Sequence, residues 1–322
     1  MILISTGNAL FDNILFMMLI FMIIVVIFLI IYFFIALKFF KKAFVPPKTF
    51  RKGKNSSKWA VYKDKILKNW ELIEKLEKED IYLVGYKNKK IHATFIKSNT
   101  GSKKVIIFSH GWKNSGLNDY ACAGMHYHEN GYNVLVVDHY AHGESMGKYI
   151  SFGSFDSYNM KLWIDFINQK FNNDSQIYLH GLSMGATIVT KLANEKLENV
   201  RGIIADSAYM DANELLEYFV RKQVKFLPSV VSFFLRLLAK IFARVNIKKC
   251  HTKSALVASR YPILFLHGDK DDFVPTKNAL KSYELCTSKK EIIIFDNAEH
   301  IVSCLMHEEK YKNAIIEFIE KN

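Results

Sequence analysis

The sequence predicts a mostly parallel, doubly wound α/β sheet, interrupted by a helical insertion and preceded by one membrane-spanning helix. Three observations carry that expectation. Beyond residue 80, short apolar runs alternate with helical patterns, an arrangement that places helices on both faces of a parallel sheet. One such run, 176–180, leads directly into Gly181-Leu182-Ser183-Met184-Gly185 and then into a helical pattern over 186–193. Near the N-terminus, residues 14–37 contain no charge and are rich in Ile, Leu, Phe, Met and Val.

That charge-free stretch is longer than the ~20 apolar residues a helix needs to cross a bilayer core. It is also too long for a cleaved secretion signal, and no small-x-small cleavage site follows it. Residues 1–40 therefore read as a retained, single-pass anchor. Only Asp12 and the terminal amine precede the span, whereas Lys38, Lys41, Lys42, Lys48, Arg51, Lys52, Lys54 and Lys58 follow it. Positive flanks stay on the cytoplasmic side, so the rule puts the N-terminus outside and the remaining chain in the cytoplasm at the cell membrane. The same cations attract anionic lipid head groups.

Residues 41–58, with Pro46-Pro47 and a run of lysines, read as a basic linker ahead of one domain over 59–322. A helical pattern covers 59–79, its apolar positions being Val61, Ile66, Trp70, Ile73 and Leu76. Strand-like runs at 81–86 and 91–96 flank a turn at Asn88 and read as an antiparallel hairpin. The alternating part follows: strands at 104–109, 133–137, 176–180, 200–205, 262–266 and 291–295, with helices at 117–130, 154–171 and after the later strands. No internal repeat is present.

The stretch about 207–249 breaks the rhythm. It reads as helical, divided at Leu227-Pro228, with Arg236, Lys240 and Arg244 four apart on a basic stripe. Two roles fit it and do not exclude each other: a cap over the site, or a helix lying in the membrane interface.

The net charge of +13 is spread along the chain with no nucleic-acid-binding motif, so a membrane surface is the expected basic-region partner and nucleic acid is not. Cys122, Cys250, Cys286 and Cys304 are widely spaced and read as reduced, buried thiols. His126 and His128 are two apart on a helix, and Cys250-His251 are adjacent; neither spacing makes a metal chelate. Without a phosphate loop or dinucleotide fingerprint, no cofactor is expected.

A serine between two glycines at a strand-to-helix turn has a physical logic. The turn is so tight that side chains two residues to either side would collide, and glycine removes them. The serine hydroxyl is lifted off the sheet edge, beside helix N–H groups that favour developing negative charge. Such a hydroxyl needs a base and the base needs an orienting carboxylate, which follow in the order acid, then histidine. Residues 266–275 offer Asp269, Asp271 and Asp272 after the penultimate strand, and residues 297–300 offer His300 after the last. Both loops fall on the carboxyl edge of the sheet, as Ser183 does. His307 is a further histidine, inside the final helical pattern.

With these stretches, residues 80–320 resemble the α/β-hydrolase superfamily, and within it the bacterial membrane-anchored serine hydrolases related to acyl esterases and prolyl-oligopeptidase-type domains. The motif His-Gly-x-x-Asp-x-x-Val-Pro matches 267–275, so the resemblance implies Asp271 as triad acid, with Asp272 its nearer rival and Asp269 the other. It implies His300 as base, with Glu299 where glycine is common, and His307 as the alternative. Ser109-His110-Gly111-Trp112 resembles the oxyanion motif, which implies the backbone N–H groups of Trp112 and Met184 as oxyanion donors. Asp138, His142, Gly143 and Ser145 reproduce a turn that buttresses the site loops in the superfamily without catalytic duty.

The expected activity is hydrolysis of carboxylic acyl esters through a Ser183–His300–Asp271 triad and an acyl-enzyme, with a small-molecule or lipid-like substrate. A prolyl-oligopeptidase-like peptidase and a non-catalytic anchored scaffold are the competing expectations.

Overall fold

The computed structural model describes residues 3–47 and 61–322, with side chains from Leu10 onward. Lys48, Arg51, Lys52, Lys54 and Lys58 of the basic linker, and the first residues of the helix expected from 59, lie outside the described residues.

The chain begins with α1 (Leu3–Phe44) and α2 (Lys63–Lys75), then the hairpin β1 (Lys78–Val84) and β2 (Lys90–Ile96). The alternating part runs β3 (Lys104–Ser109), α3 (Gly116–Ala123), α4 (Met125–Glu129), β4 (Asn133–Asp138), α5 (Asp156–Lys170), β5 (Gln176–Leu182), α6 (Met184–Thr190) and β6 (Val200–Asp206). The insertion supplies α7 (Ala212–Gln223) and α8 (Pro228–Leu238). The chain closes with α9 (Lys253–Leu256), β7 (Ile263–Gly268), α10 (Lys277–Leu285), β8 (Lys290–Phe295), α11 (Ser303–Met306) and α12 (Glu308–Lys321). The helix expected over 117–130 is thus two helices, divided at Gly124.

The eight strands form one sheet in the order β1-β2-β4-β3-β5-β6-β7-β8. β1 and β2 pair antiparallel, and so do β2 and β4; every other neighbour is parallel. The central strands are continuous apolar runs because both of their faces are buried. Along β3, Val105 and Ile107 join the core shared with α5, α6 and the insertion, while Ile106 and Phe108 join the core under α3, α4 and α12. The parallel register brings Ser109 level with Gly181, and Leu182 level with Asp206, so the carboxyl ends of β3, β5 and β6 form one rim.

α2 docks through Ile66 and Ile73, two turns apart, whereas Val61, expected on the same apolar face, is exposed. α1 behaves as two segments of one helix. Between Leu10 and Ile31 its large apolar side chains are almost all exposed; that stretch is about 33 Å at ~1.5 Å per residue, the thickness of a bilayer core of ~30 Å. Thereafter Tyr32, Ala36, Phe40, Ala43 and Phe44 are buried, a stripe at helical spacing that faces the folded domain. The linker expected from residue 41 therefore starts later: 41–44 are the last turn of α1, because Ala43 and Phe44 continue that stripe. The carbonyls of this last turn, which have no partner within the helix, are met by the domain. Trp112 Nε1–H donates to Ala43 O at 2.8 Å and Ile150 N–H donates to Phe44 O at 2.8 Å.

Candidate active site

Ser183 sits between β5 and α6 with φ +52° and ψ −111°, a conformation that L residues avoid. The two flanking glycines make it possible. A Cβ on Gly181 would strike the backbone of Gly185 and Ala186, and one on Gly185 would strike the carbonyl of Ser109 on the neighbouring strand. The elbow is pinned from below by Ser183 N–H donating to Asp206 O at 2.8 Å.

His300, in the loop after β8, lies with Nε2 2.8 Å from Ser183 Oγ and Nδ1 2.6 Å from Asp271 Oδ2. With its proton on Nδ1, the ring donates to the carboxylate and accepts from the serine hydroxyl. Of the three aspartates in the loop after β7, Asp271 alone turns inward. Its side chain is buried and its Oδ1 accepts from the N–H groups of Phe273 (3.0 Å) and Val274 (2.7 Å). Asp272 points outward, its side chain 62% exposed and 3.7 Å from Lys222 Nζ, and Asp269 is exposed. Burial works to raise the Asp271 carboxyl, but hydrogen bonds from His267 and His300 outweigh it and hold the group well below the usual carboxylate range. His307, expected inside the last helix, instead sits at the break between α11 and α12, its Nε2 2.8 Å from Asp296 O.

The loop after β3 crosses beside the elbow: a Cβ built on Gly111 would stand 3.5 Å from Ser183 Cβ. Trp112, the next residue of that loop, lines the same pocket as Ser183, and Met184 begins α6. Other groups hold the loop. Gly111 N–H donates to Asp119 Oδ2 at 2.7 Å, and Lys113 N–H donates to His142 Nε2 at 3.2 Å. The turn after β4 holds itself in the same way: Asp138 accepts from Gly116 N–H (2.8 Å) and Glu144 N–H (3.0 Å), and Ser145 Oγ donates to Asp138 O at 2.7 Å. Gly143 is needed there at φ +52°, with Asp138 packed against its Cα.

Sequence reasoning missed three parts of this site. His267 is fully buried, with Nε2 2.8 Å from Val274 O and 3.1 Å from Asp271 Oδ2, so it backs the carboxylate from the side opposite His300. Its place in the His-Gly-x-x-Asp motif was the available signal. A buried chain, Tyr127–His180–Tyr311–Asp206, runs behind the elbow at 2.9, 3.2 and 2.9 Å. Burial raises the Asp206 carboxyl more than its bonds from Ser207 and Tyr311 lower it. Lastly, Ser109, His139 and Asp156 repeat the serine–histidine–aspartate combination, with Ser109 Oγ 2.7 Å from His139 Nε2. All three are buried, and the 3.8 Å from His139 Nδ1 to Asp156 Oδ1 is too long for a hydrogen bond. This second group is structural.

Above Ser183 lies an apolar pocket of about 110 Å³, part of it open to solvent. The insertion roofs it with Leu215, Leu216 and Phe219 from α7 and Leu235 from α8, while Phe39, Lys42 and Ala43 of α1 form a wall. α7 starts on Asp211, whose Oδ1 accepts from the N–H groups of Asn213 and Glu214. Arg236 Nη1 donates to Glu217 Oε1 at 2.7 Å and fastens α8 to α7. The expected basic stripe consequently does not form. Arg236 is half-buried against Glu217, α8 passes into a π-helical turn over Ala239–Ala243 that shifts the spacing, and Arg244 adopts a left-handed conformation. The cap exposes Phe226 (66%), Phe233 (57%), Leu237, Ile241 and Phe242, with Lys225, Lys240 and Arg244 also exposed among them.

Fold, elbow and rim agree with what the chain is similar to. Residues 100–259 match the family described as serine aminopeptidase, S33. The chain has the α/β-hydrolase fold. Among relatives, the YqkD protein of Bacillus subtilis is 28% identical over 261 residues, covering 78% of this chain and 82% of that protein. The membrane protein YNL320W of Saccharomyces cerevisiae is 23% identical over 228 residues, covering 69% and 73%. Among solved hydrolase structures, the Pyrococcus furiosus esterase Pf2001 superposes with a TM-score of 0.63, covering 86% of this chain and 96% of that one. At 21% identity this likeness is one of fold.

Proposed function

We infer that the chain is a membrane-anchored serine hydrolase that cleaves carboxylic esters. The observation that carries this reading is the His300 ring bridging Ser183 Oγ at 2.8 Å and Asp271 Oδ2 at 2.6 Å. Ser183 Oγ attacks the ester carbonyl while His300 Nε2 takes its proton, and the buried Asp271 carboxylate stabilises the resulting imidazolium. The oxyanion is held by the backbone N–H groups of Trp112 and Met184. When the C–O bond breaks, His300 returns the proton to the leaving alcohol. A water molecule, deprotonated by His300, then attacks the acyl-enzyme; the carboxylic acid leaves and the proton returns to Ser183.

The pocket favours an ester over a peptide with a free N-terminus. An aminopeptidase must hold an α-ammonium, yet the pocket's described lining contains no carboxylate and does contain Lys42. Lys38, Lys41 and Lys42 at the domain end of α1 support a cytoplasmic domain by the positive-inside rule. The experiment is fluorophosphonate labelling of the full chain in detergent, paired with turnover of p-nitrophenyl esters and amino-acyl anilides. Wild type labels and cleaves the esters, and Ser183→Ala does neither. Equal labelling of both proteins, or anilide turnover exceeding ester turnover, would overturn the reading.

A further inference from the structure

The pocket is assembled from parts with different surroundings. One wall is the end of a helix whose preceding turns expose apolar side chains over a bilayer's thickness, and the roof is a cap that exposes Phe226, Phe233, Leu237, Ile241 and Phe242 together with Lys225, Lys240 and Arg244. Tyr32 Oη donates to Phe226 O at 2.9 Å, and Phe33 and Phe40 pack on Phe234 and Phe242, so cap and α1 form one surface. An apolar pocket beside such a surface is open to a molecule already resident in lipid.

Two lysines stand by the wall that α1 makes. Lys42 lines the pocket, and Lys113 Nζ stands 4.9 Å from the ring of Trp112, which lines it too. Trp112 is joined to the same turn of α1 through Ala43 O. Among the described residues neither ammonium has a carboxylate within ion-pair distance, although other lysines of the domain do. Burial, and then the charge of Lys42, push Lys113 below the usual lysine range. Two cations held close together without a counter-charge are what an anionic group on a ligand neutralises.

We propose that the substrate is an anionic, single-chain acyl ester taken from the membrane, its chain in the pocket between α1, α7 and α8 and its phosphate or carboxylate between Lys42 and Lys113. This rests on the serine-hydrolase reading and adds the substrate class. The ester carbonyl then lies between the apolar end at Leu216 and Leu235 and the cationic end at Lys42, over Ser183.

The test uses the full chain in vesicles of ether-linked phosphatidylcholine, which carries no acyl ester. The probes are lauroyl-glycerol phosphate and lauroyl-glycerol, with soluble butanoyl-glycerol phosphate as a third. Wild type should favour the phosphate-bearing lauroyl ester over the neutral one by about tenfold or more in kcat/KM. Lys42→Gln and Lys113→Gln should each reduce that ratio several-fold, and Lys42→Arg should restore most of it. Fluorophosphonate labelling reports separately whether Ser183 still reacts, so loss of labelling sinks the hydrolase reading and an unmoved ratio with normal labelling sinks this proposal alone. A higher kcat/KM for the soluble butanoyl ester would overturn the membrane origin of the substrate.

Discussion

The indole N–H of Trp112 donates to the main-chain carbonyl of Ala43 at 2.8 Å, joining the loop beside the nucleophile to the last turn of the apolar helix. Trp112→Phe removes this bond and trims the indole to a single phenyl ring. The fold should lose about 1 kcal/mol, read as a lower thermal midpoint in detergent. kcat should fall roughly tenfold, less than the ~10²–10³ of losing an oxyanion donor outright, because the backbone N–H shifts without disappearing. An unchanged kcat would mean that the loop holds its position without the helix.

Asp271 and Asp272 are adjacent in sequence but face opposite environments. Asp271→Asn should reduce kcat by ~10⁴, since the amide no longer selects the productive tautomer of His300. Asp272→Asn should leave kcat within about twofold, with stability unchanged to within ~0.5 kcal/mol. Steady-state kinetics on a p-nitrophenyl ester distinguish the two, and a reversed order would transfer the acid's role to Asp272.

His267 backs the Asp271 carboxylate from within the protein. A carboxyl depressed in the fold contributes stability above its unfolded value of ~3.9 and surrenders it as pH falls through the folded value. His267→Leu removes the largest contribution to that depression, so the folded value rises. The acid-unfolding midpoint of the variant should therefore move to higher pH, as followed by tryptophan fluorescence. A midpoint at or below that of wild type would contradict the buttressing role.

Four imidazoles act at milder acidity. Burial holds His139 and His180 far below their ordinary value and His126 and His142 at about 3. The unfolded chain binds protons at these rings near pH ~6.5 while the folded chain does not, so stability falls as pH drops below that point, by up to ~1.4 kcal/mol per pH unit for each ring. His92 works the other way. Burial lowers it, but the bond with Asp138 raises it further, so its contribution is present at low pH and fades as pH rises through its folded value. Four outweigh one. The thermal midpoint should be several degrees lower at pH 5.0 than at pH 7.5, and a higher midpoint at pH 5.0 would show these rings protonated inside the fold.

Gly185→Ala should be among the most damaging single methyl additions, because its Cβ meets the carbonyl of Ser109 on β3 and backbone cannot rotate away as a side chain can. A cost of about 3 kcal/mol or more is expected, seen as loss of soluble folded protein together with loss of fluorophosphonate labelling.

Much of the rim was legible because its rules are local. The strand, the glycine-flanked serine and the helix of the elbow are consecutive in sequence, and the loops bearing Asp271 and His300 each end an apolar run. What the sequence did not reveal depends on partners far along the chain. The stripe Tyr32, Ala36, Phe40 and Phe44 is invisible within a helix that is apolar all round, so the end of the anchor could not be told from the part exposed to lipid. Arg236, Lys240 and Arg244 looked like a stripe until Glu217 claimed the first and the helix ended before the last. The network from Tyr127 to Asp206 spans residues that no short motif connects.

Because α1 runs unbroken to Phe44 and is then clasped by Ile150 and Trp112, no hinge separates it from the sheet at that junction. A catalytic head on a slack tether would sweep a volume. On the proposed reading, with α1 crossing a bilayer, the pocket would be held at a set height and tilt above the lipid, and encounters with a lipid substrate would become a search over a plane.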